Sequence, residues 1–229
     1  MTRSLYALIA DSVIDGQLPE GFSLPKEPGS NGMFCLYTDG AFDGICLNHM
    51  GMPDPLTEEE RELMANAVME ASNGHTENAD ELFRQLGESC RALSIFEELQ
   101  KYIMDNESQI QAMTLAKYAI HLMLEATDTE SVKFGMTILE LFDKTDIKEV
   151  KNIVLTLGLS DEFTLFAAFI IADWPDANEQ LFSLAKKVHH WGRIHLIERI
   201  EPETEEIRQW MLHDALENDI VALYSSSEC

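Results

Sequence analysis

Residues 130–213 carry three tandem pairs of short helices, and this internal repeat constrains the fold more than any other feature of the chain. The apolar spacing predicts a first helix over Glu130–Phe142, a link at Asp143–Asp146 and a second helix over Ile147–Leu157. The pattern returns as Asp161–Ala172, a link through Trp174 and Pro175, and Ala177–His190. It returns again as Arg193–Ile200, a link through Pro202, and Thr204–His213. The second helices open alike, with Asp146-x-x-Glu149, Asp176-x-x-Glu179 and Glu203-x-x-Glu206 recurring at steps of roughly 30 residues. The first two are aspartate forms of a capping box, in which the carboxylate also meets the positive end of the helix dipole. Gly158 and Gly192 close the connections after the second helices. A unit of two such helices cannot bury its apolar face alone, so the units must stack.

Ahead of these pairs, Ser108 is expected to cap a helix running to Glu125 that is apolar on most sides and hence buried on more than one. From about 107 to 229 the sequence resembles HEAT repeats in period and helix-pair pattern, although its units are shorter than typical ones. The resemblance implies an all-α fold built on a short right-handed α-solenoid, with a concave face formed by the second helices. It carries over no catalytic residue. The whole chain is also similar to uncharacterised bacterial proteins of this architecture.

Residues 1–106 are expected to form a cap on that stack, so that 1–106 and 107–229 make one continuous structural unit. A helix over Ser4–Ile14 gives way to a stretch punctuated by glycine and proline up to Gly32. Two apolar runs, Met33–Tyr37 and Ile45–Leu47, flank Asp-Gly steps and suggest a small β-hairpin. A turn centred between Gly40 and Ala41 would set Cys35 opposite Cys46. Thr57 and Glu60 then form a capping box, and the helix they start ends at Asn73-Gly74. A second helix is expected from about Asn78 to Ile103, bent or divided at Gly87.

The charge narrows the choice of partners. Sixteen Lys and Arg stand against 41 Asp and Glu, a formal net charge of −25. Such a surface repels nucleic-acid phosphates and anionic membranes. It either steers a basic protein or peptide toward the chain or simply keeps the chain soluble. The four cysteines, Cys35, Cys46, Cys90 and Cys229, form no regular framework, which fits a reducing cytoplasm. The apolar run Leu5–Ala10 is too short for a secretory signal, and no stretch approaches a membrane span. The common nucleotide, dinucleotide, serine-hydrolase and zinc-peptidase motifs are absent, so no cofactor is expected. The 11 methionines fall mostly at apolar helical positions and read as core filler.

The densest chemistry lies between His189 and Glu201. His190, Trp191, Arg193, His195, Glu198 and Arg199 are the candidate binding residues. On a helix, His195, Glu198 and Arg199 share a face, and His190, His195 and Glu198 are of the types that bind a metal or move a proton. The simpler account is that Trp191 packs between repeats and the arginines pair with nearby acids. His121 and Glu125, four apart, are a second candidate pair, with a satisfied core histidine as the plainer reading. Cys35, Cys46 and His49 would supply three zinc ligands if the hairpin formed, with no fourth in sight.

The final helix, Ile220–Tyr224, leaves an apolar end that is expected to pack on another chain or on a further repeat, so a homo-oligomer is expected there. The leading functional expectation is a non-enzymatic cytoplasmic interaction module. Its rivals are an enzyme or small-ligand binder near His190–Arg199, and an acidic inhibitor of a basic partner.

Overall fold

The computed structural model describes residues 3–25, 39–45, 56–142 and 148–215. Among them the regular elements are all helical, as the apolar periods require. They are α1 (Leu5–Ser12), α2 (Ala41–Ile45), α3 (Glu58–Ser72), α4 (Thr76–Ser89), α5 (Phe96–Asp105), α6 (Ala112–Glu125) and α7 (Thr129–Glu140). They continue with α8 (Lys148–Leu157), α9 (Asp161–Ala172), α10 (Ala177–Ala185), α11 (His190–Ile197) and α12 (Glu205–His213). The chain clusters into two compact units, Met1–Ala7 with Met50–Asp146, and Leu8–His49 with Ile147–Cys229. The boundary expected near 106/107 falls inside the first unit.

In the first unit, α3 starts at the expected capping box. The Glu60 N–H donates to Thr57 Oγ1 (3.2 Å), and the Thr57 N–H donates to Glu60 Oε2 (2.8 Å). The single helix expected from Asn78 to Ile103 is instead divided at Cys90, which is extended, and resumes through a 3-10 turn at Ala92–Ile95. Gly87 is not the break. It lies inside α4, where an added Cβ would stand 2.9 Å from the Cβ of Glu130, so it permits a close crossing with α7. The break follows from Glu130, whose Oε2 accepts the Ala92 N–H at 2.6 Å and whose Oε1 lies 3.3 Å from Arg91. Ser108 does not cap α6. That helix opens three residues later, where the Gln111 N–H donates to Ser72 Oγ (2.6 Å). Asp128 caps α7 through the Ser131 N–H (2.8 Å).

The centre of this unit is α7, whose ten residues Glu130–Leu139 are all buried. It packs on α4, α5 and α6, with Phe134 against Phe83 at 5.5 Å between ring centroids. Gly135 lets α6 approach, since a Cβ there would meet the Ala119 carbonyl at 2.7 Å. Lys133 is fully buried, and its Nζ lies 3.4 Å from Glu130 Oε1.

In the second unit α9 is central, packed by α8, α10 and α11 and buried at Phe163–Ala168, Ile170 and Ile171. Its bounds are those the sequence predicts. The acidic boxes of the second helices need correction. Asp146 lies outside the described residues. Asp176 makes no capping bond, because its backbone (φ −110°, ψ 27°) is not extended as a cap requires. Its carboxylate instead takes Gln180 Nε2 (2.7 Å) and Lys151 Nζ (3.3 Å). Thr204, which is extended, caps α12 in place of Glu203, accepting the Ile207 N–H at 3.2 Å. The helix expected over Ala177–His190 ends at Ala185, since His189 is extended and His190 is left-handed (φ 47°). Consequently α11 begins at His190, three residues before its expected start.

The turn expected between Gly40 and Ala41 is not a hairpin turn. Gly40 (φ 72°) leads into the short helix α2, and a Cβ on it would overlap the Asp161 carbonyl. Cys35, Cys46 and His49 lie outside the described residues, as does Ile220–Tyr224. Among the described residues no helix is long and apolar enough to cross a membrane.

Candidate functional site

The second unit brings the starts of α9 and α11 together. Asp161, the first residue of α9, places Oδ2 at 2.9 Å from His190 Nδ1. It also accepts the Gly192 N–H, so it serves as a cap for α11 supplied from another helix. Gly192 makes this approach available: a Cβ there would overlap Asp161 Oδ1 and meet Thr164 Oγ1 at 2.7 Å. The Asp161 side chain is only 15% exposed. Burial pushes its carboxyl above the ordinary value of 3.8, and the His190 bond only partly offsets this.

A second carboxylate approaches from the loop before α2. Asp39 accepts the Leu24 N–H (3.0 Å) and the Ser23 hydroxyl (3.3 Å). Burial raises it as well, with repulsion from Glu162 and Asp161 adding to the effect. Glu162 is held by the Gly40 N–H at 2.7 Å. Asp39, Asp161 and His190 border a cleft of about 560 Å3 walled by residues 17–23, Asp39, 159–161 and 187–190. Its size is that of a site for a small molecule. Ser160 lines it with a buried Oγ that has no hydrogen-bond partner, and it makes no capping bond to α9. A buried hydroxyl in that state carries an unrecovered desolvation cost.

The six residues singled out from sequence do not form one site. His190 alone lines the cleft. Trp191 is buried against Ala41 and Ile194. Arg193 donates from Nε to the Val188 carbonyl (2.9 Å) and from Nη1 to the Asp214 carbonyl (3.3 Å), with its guanidinium over the Trp210 ring. Its Nη2 also lies 3.3 Å from His189 Nδ1. His195 is 1% exposed, and neither of its ring nitrogens has a hydrogen-bond partner. Glu198 Oε2 lies 4.0 Å from His195 Nδ1, too far for a hydrogen bond. Arg199 bonds the His195 carbonyl (2.7 Å) and Glu198 (3.3 Å), beside the Phe169 ring.

Five helix positions put His195 about 140° round the axis from His190, so the metal or proton-transfer set His190–His195–Glu198 does not converge. Among the described residues no three His, Cys, Asp or Glu side chains are placed to hold a metal ion.

In the first unit, His121 pairs with Asp80 (3.1 Å) and not with Glu125. The Tyr118 hydroxyl donates to the same carboxylate at 2.9 Å, and burial, with Asp80 adding, raises that phenol. Sequence reasoning passed over Asp80, and likewise Ser160, Asp161 and Lys187 in the cleft; the Asp39-Gly40 and Asp43-Gly44 steps suggested cation binding but, lacking the acidic ladder of a calcium loop, read as turn chemistry. One signal was present for Asp161: it stands 29 residues from His190, close to one repeat, so both head first helices. No family model matches the chain, and neither a curated protein nor a solved structure does.

Proposed function

We propose that this chain is a non-enzymatic binding protein whose site is the cleft at Asp39, Asp161 and His190. Its occupant carries a small organic cation, either free or on the side chain of a basic partner. The observation that carries this reading is the pair of half-buried carboxylates lining one cleft, each destabilised as an anion by partial burial and Asp39 also by its acidic neighbours. A cation placed there relieves both, and the net charge of −25 concentrates cations around the chain.

The concave face of a solenoid is a weaker place for recognition. Among the described residues the large exposed apolar side chains are Ile14, Met104, Met113 and Leu212, with no aromatic. The HEAT-like arrangement itself belongs to this proposal. It is supported by α8, α10 and α12 starting at residues 148, 177 and 205, close to the expected period. A cytoplasmic setting is the other part, supported by the irregular cysteine spacing.

The His190–Asp161 pair would orient an imidazole for acid–base work, but Ser160 Oγ, the buried hydroxyl beside it, is not bonded to it. Titration calorimetry with agmatine tests the reading. The expected result is a dissociation constant below about 1 mM that weakens at least tenfold in the Asp39→Asn/Asp161→Asn protein and also weakens with salt. Absence of binding in the folded wild-type protein contradicts it.

A further inference from the structure

The cleft has a second, cationic pole. Lys187 lines it next to His189 and His190, on the segment that joins α10 to α11. The side chain is half-buried, and it pairs with no carboxylate among the described residues, whereas its neighbour Lys186 reaches Glu206 at 3.4 Å. Asp39 and Asp161 stand on other segments of its wall, and Ser160, next to Asp161 in the chain, has a buried hydroxyl with no partner. A ligand that is only a cation would satisfy the carboxylates and leave Lys187 facing its own charge. A phosphate or other dianion would satisfy Lys187 and be repelled by Asp39, Asp161 and Glu20 in the same space. A molecule that carries both cationic groups and a carboxylate satisfies both poles.

We infer that the occupant is a small zwitterion of the basic amino-acid type, its side-chain cation directed to Asp39 and Asp161 and its α-carboxylate to Lys187. This rests on the cation-binding reading above and adds the anionic half of the ligand. The same chemistry is presented by a free amino acid and by the last residue of a chain ending in arginine. The cleft volume of about 560 Å3 suits the whole of a free one.

The experiment is calorimetry on the full chain with three probes: L-arginine, agmatine (which lacks the carboxylate) and the tripeptide Gly-Gly-Arg. It is repeated on Lys187→Met, with thermal melting used to confirm that the variant is folded. L-arginine is expected to bind at least about fivefold more tightly than agmatine, and Lys187→Met to erase that ratio by weakening L-arginine, with agmatine bound no more weakly than by the wild type. Tight binding of Gly-Gly-Arg relative to L-arginine would assign the carboxylate to a chain end and support the zwitterion itself. A ratio under fivefold in the wild type, or one that survives Lys187→Met, overturns the inference while the cation reading stands. If no probe binds, both fall.

Discussion

The helices α7 and α9 are the centres of the two units, and both are buried around nearly their whole circumference, yet they treat buried polarity in opposite ways. On α7, Glu130 and Lys133 are buried together, and Glu130 also takes Arg91 and the Ala92 N–H. Each charge has a partner supplied by the chain. At the head of α9, Ser160 has a buried hydroxyl with no partner, and Asp161 is held as a reluctant anion beside His190. Those groups border a cleft. Polar groups that are sealed and satisfied hold a fold together. Half-buried carboxylates that are destabilised as anions and line a cleft are arranged for something that arrives later.

The largest test of this contrast lies on the satisfied side. Glu130→Ala leaves Lys133 buried without its carboxylate, and the expected loss is about 3–5 kcal/mol in urea unfolding. Replacing Glu130 and Lys133 together with apolar residues of similar volume should recover most of it, because the penalty comes from the stranded charge. Equal losses in the single and double variants would show that α7 does not depend on the pair.

On the other side, Gly192→Ala should cost about 1–3 kcal/mol by forcing α11 away from Asp161 and Thr164. The cleft sits on that contact, so ligand binding should fall with it. An unchanged melting temperature would mean that the two helices are not held as described.

A smaller effect has the reverse sign. His195 has both ring nitrogens buried without partners, so His195→Leu is expected to stabilise the second unit by about 1 kcal/mol, read as a shift in thermal melting. Destabilisation would show that His195 makes a bond essential to the fold.

The mildest expectation concerns pH. The Asp161 carboxyl is raised above 3.8 in the folded state. Just above that pH the folded chain keeps a proton that the unfolded chain has released, so stability falls as pH rises through the window. In Asp161→Asn this loss is absent. The melting temperature of the variant relative to wild type should therefore climb as pH is raised from 3.8. A flat difference would show that Asp161 titrates as an ordinary carboxyl.

Much of the helical framework could be read directly from the chain, because caps and apolar periods act over a few residues. Asp161–Ala172 and the Thr57–Glu60 box are of this kind. The errors came where a distant residue decided a local conformation. Glu130 breaks the helix at Cys90, and Asp161 caps α11 from another helix, so neither Gly87 nor Arg193 marks the boundary that local signals suggested. The cleft was half legible. His190 stood out as one of a histidine cluster, but the cluster scatters round its helix, and the partners of His190 come from positions that look like ordinary turns and helix starts. Lys133 was invisible for a related reason: a lysine three residues from a glutamate is usually a solvated pair, and only tertiary packing buries it.

The central claim is that Asp39, Asp161, His190 and Lys187 of the second unit line a binding site. The most direct measurement is the amide spectrum of the 15N-labelled chain titrated with L-arginine to millimolar concentration. Saturable shifts confined to residues 17–23, 39–45, 159–162 and 187–192, with the Asp80–Tyr118–His121 cluster of the first unit unmoved, are the predicted result. No shifts, or shifts centred on that cluster, would contradict it.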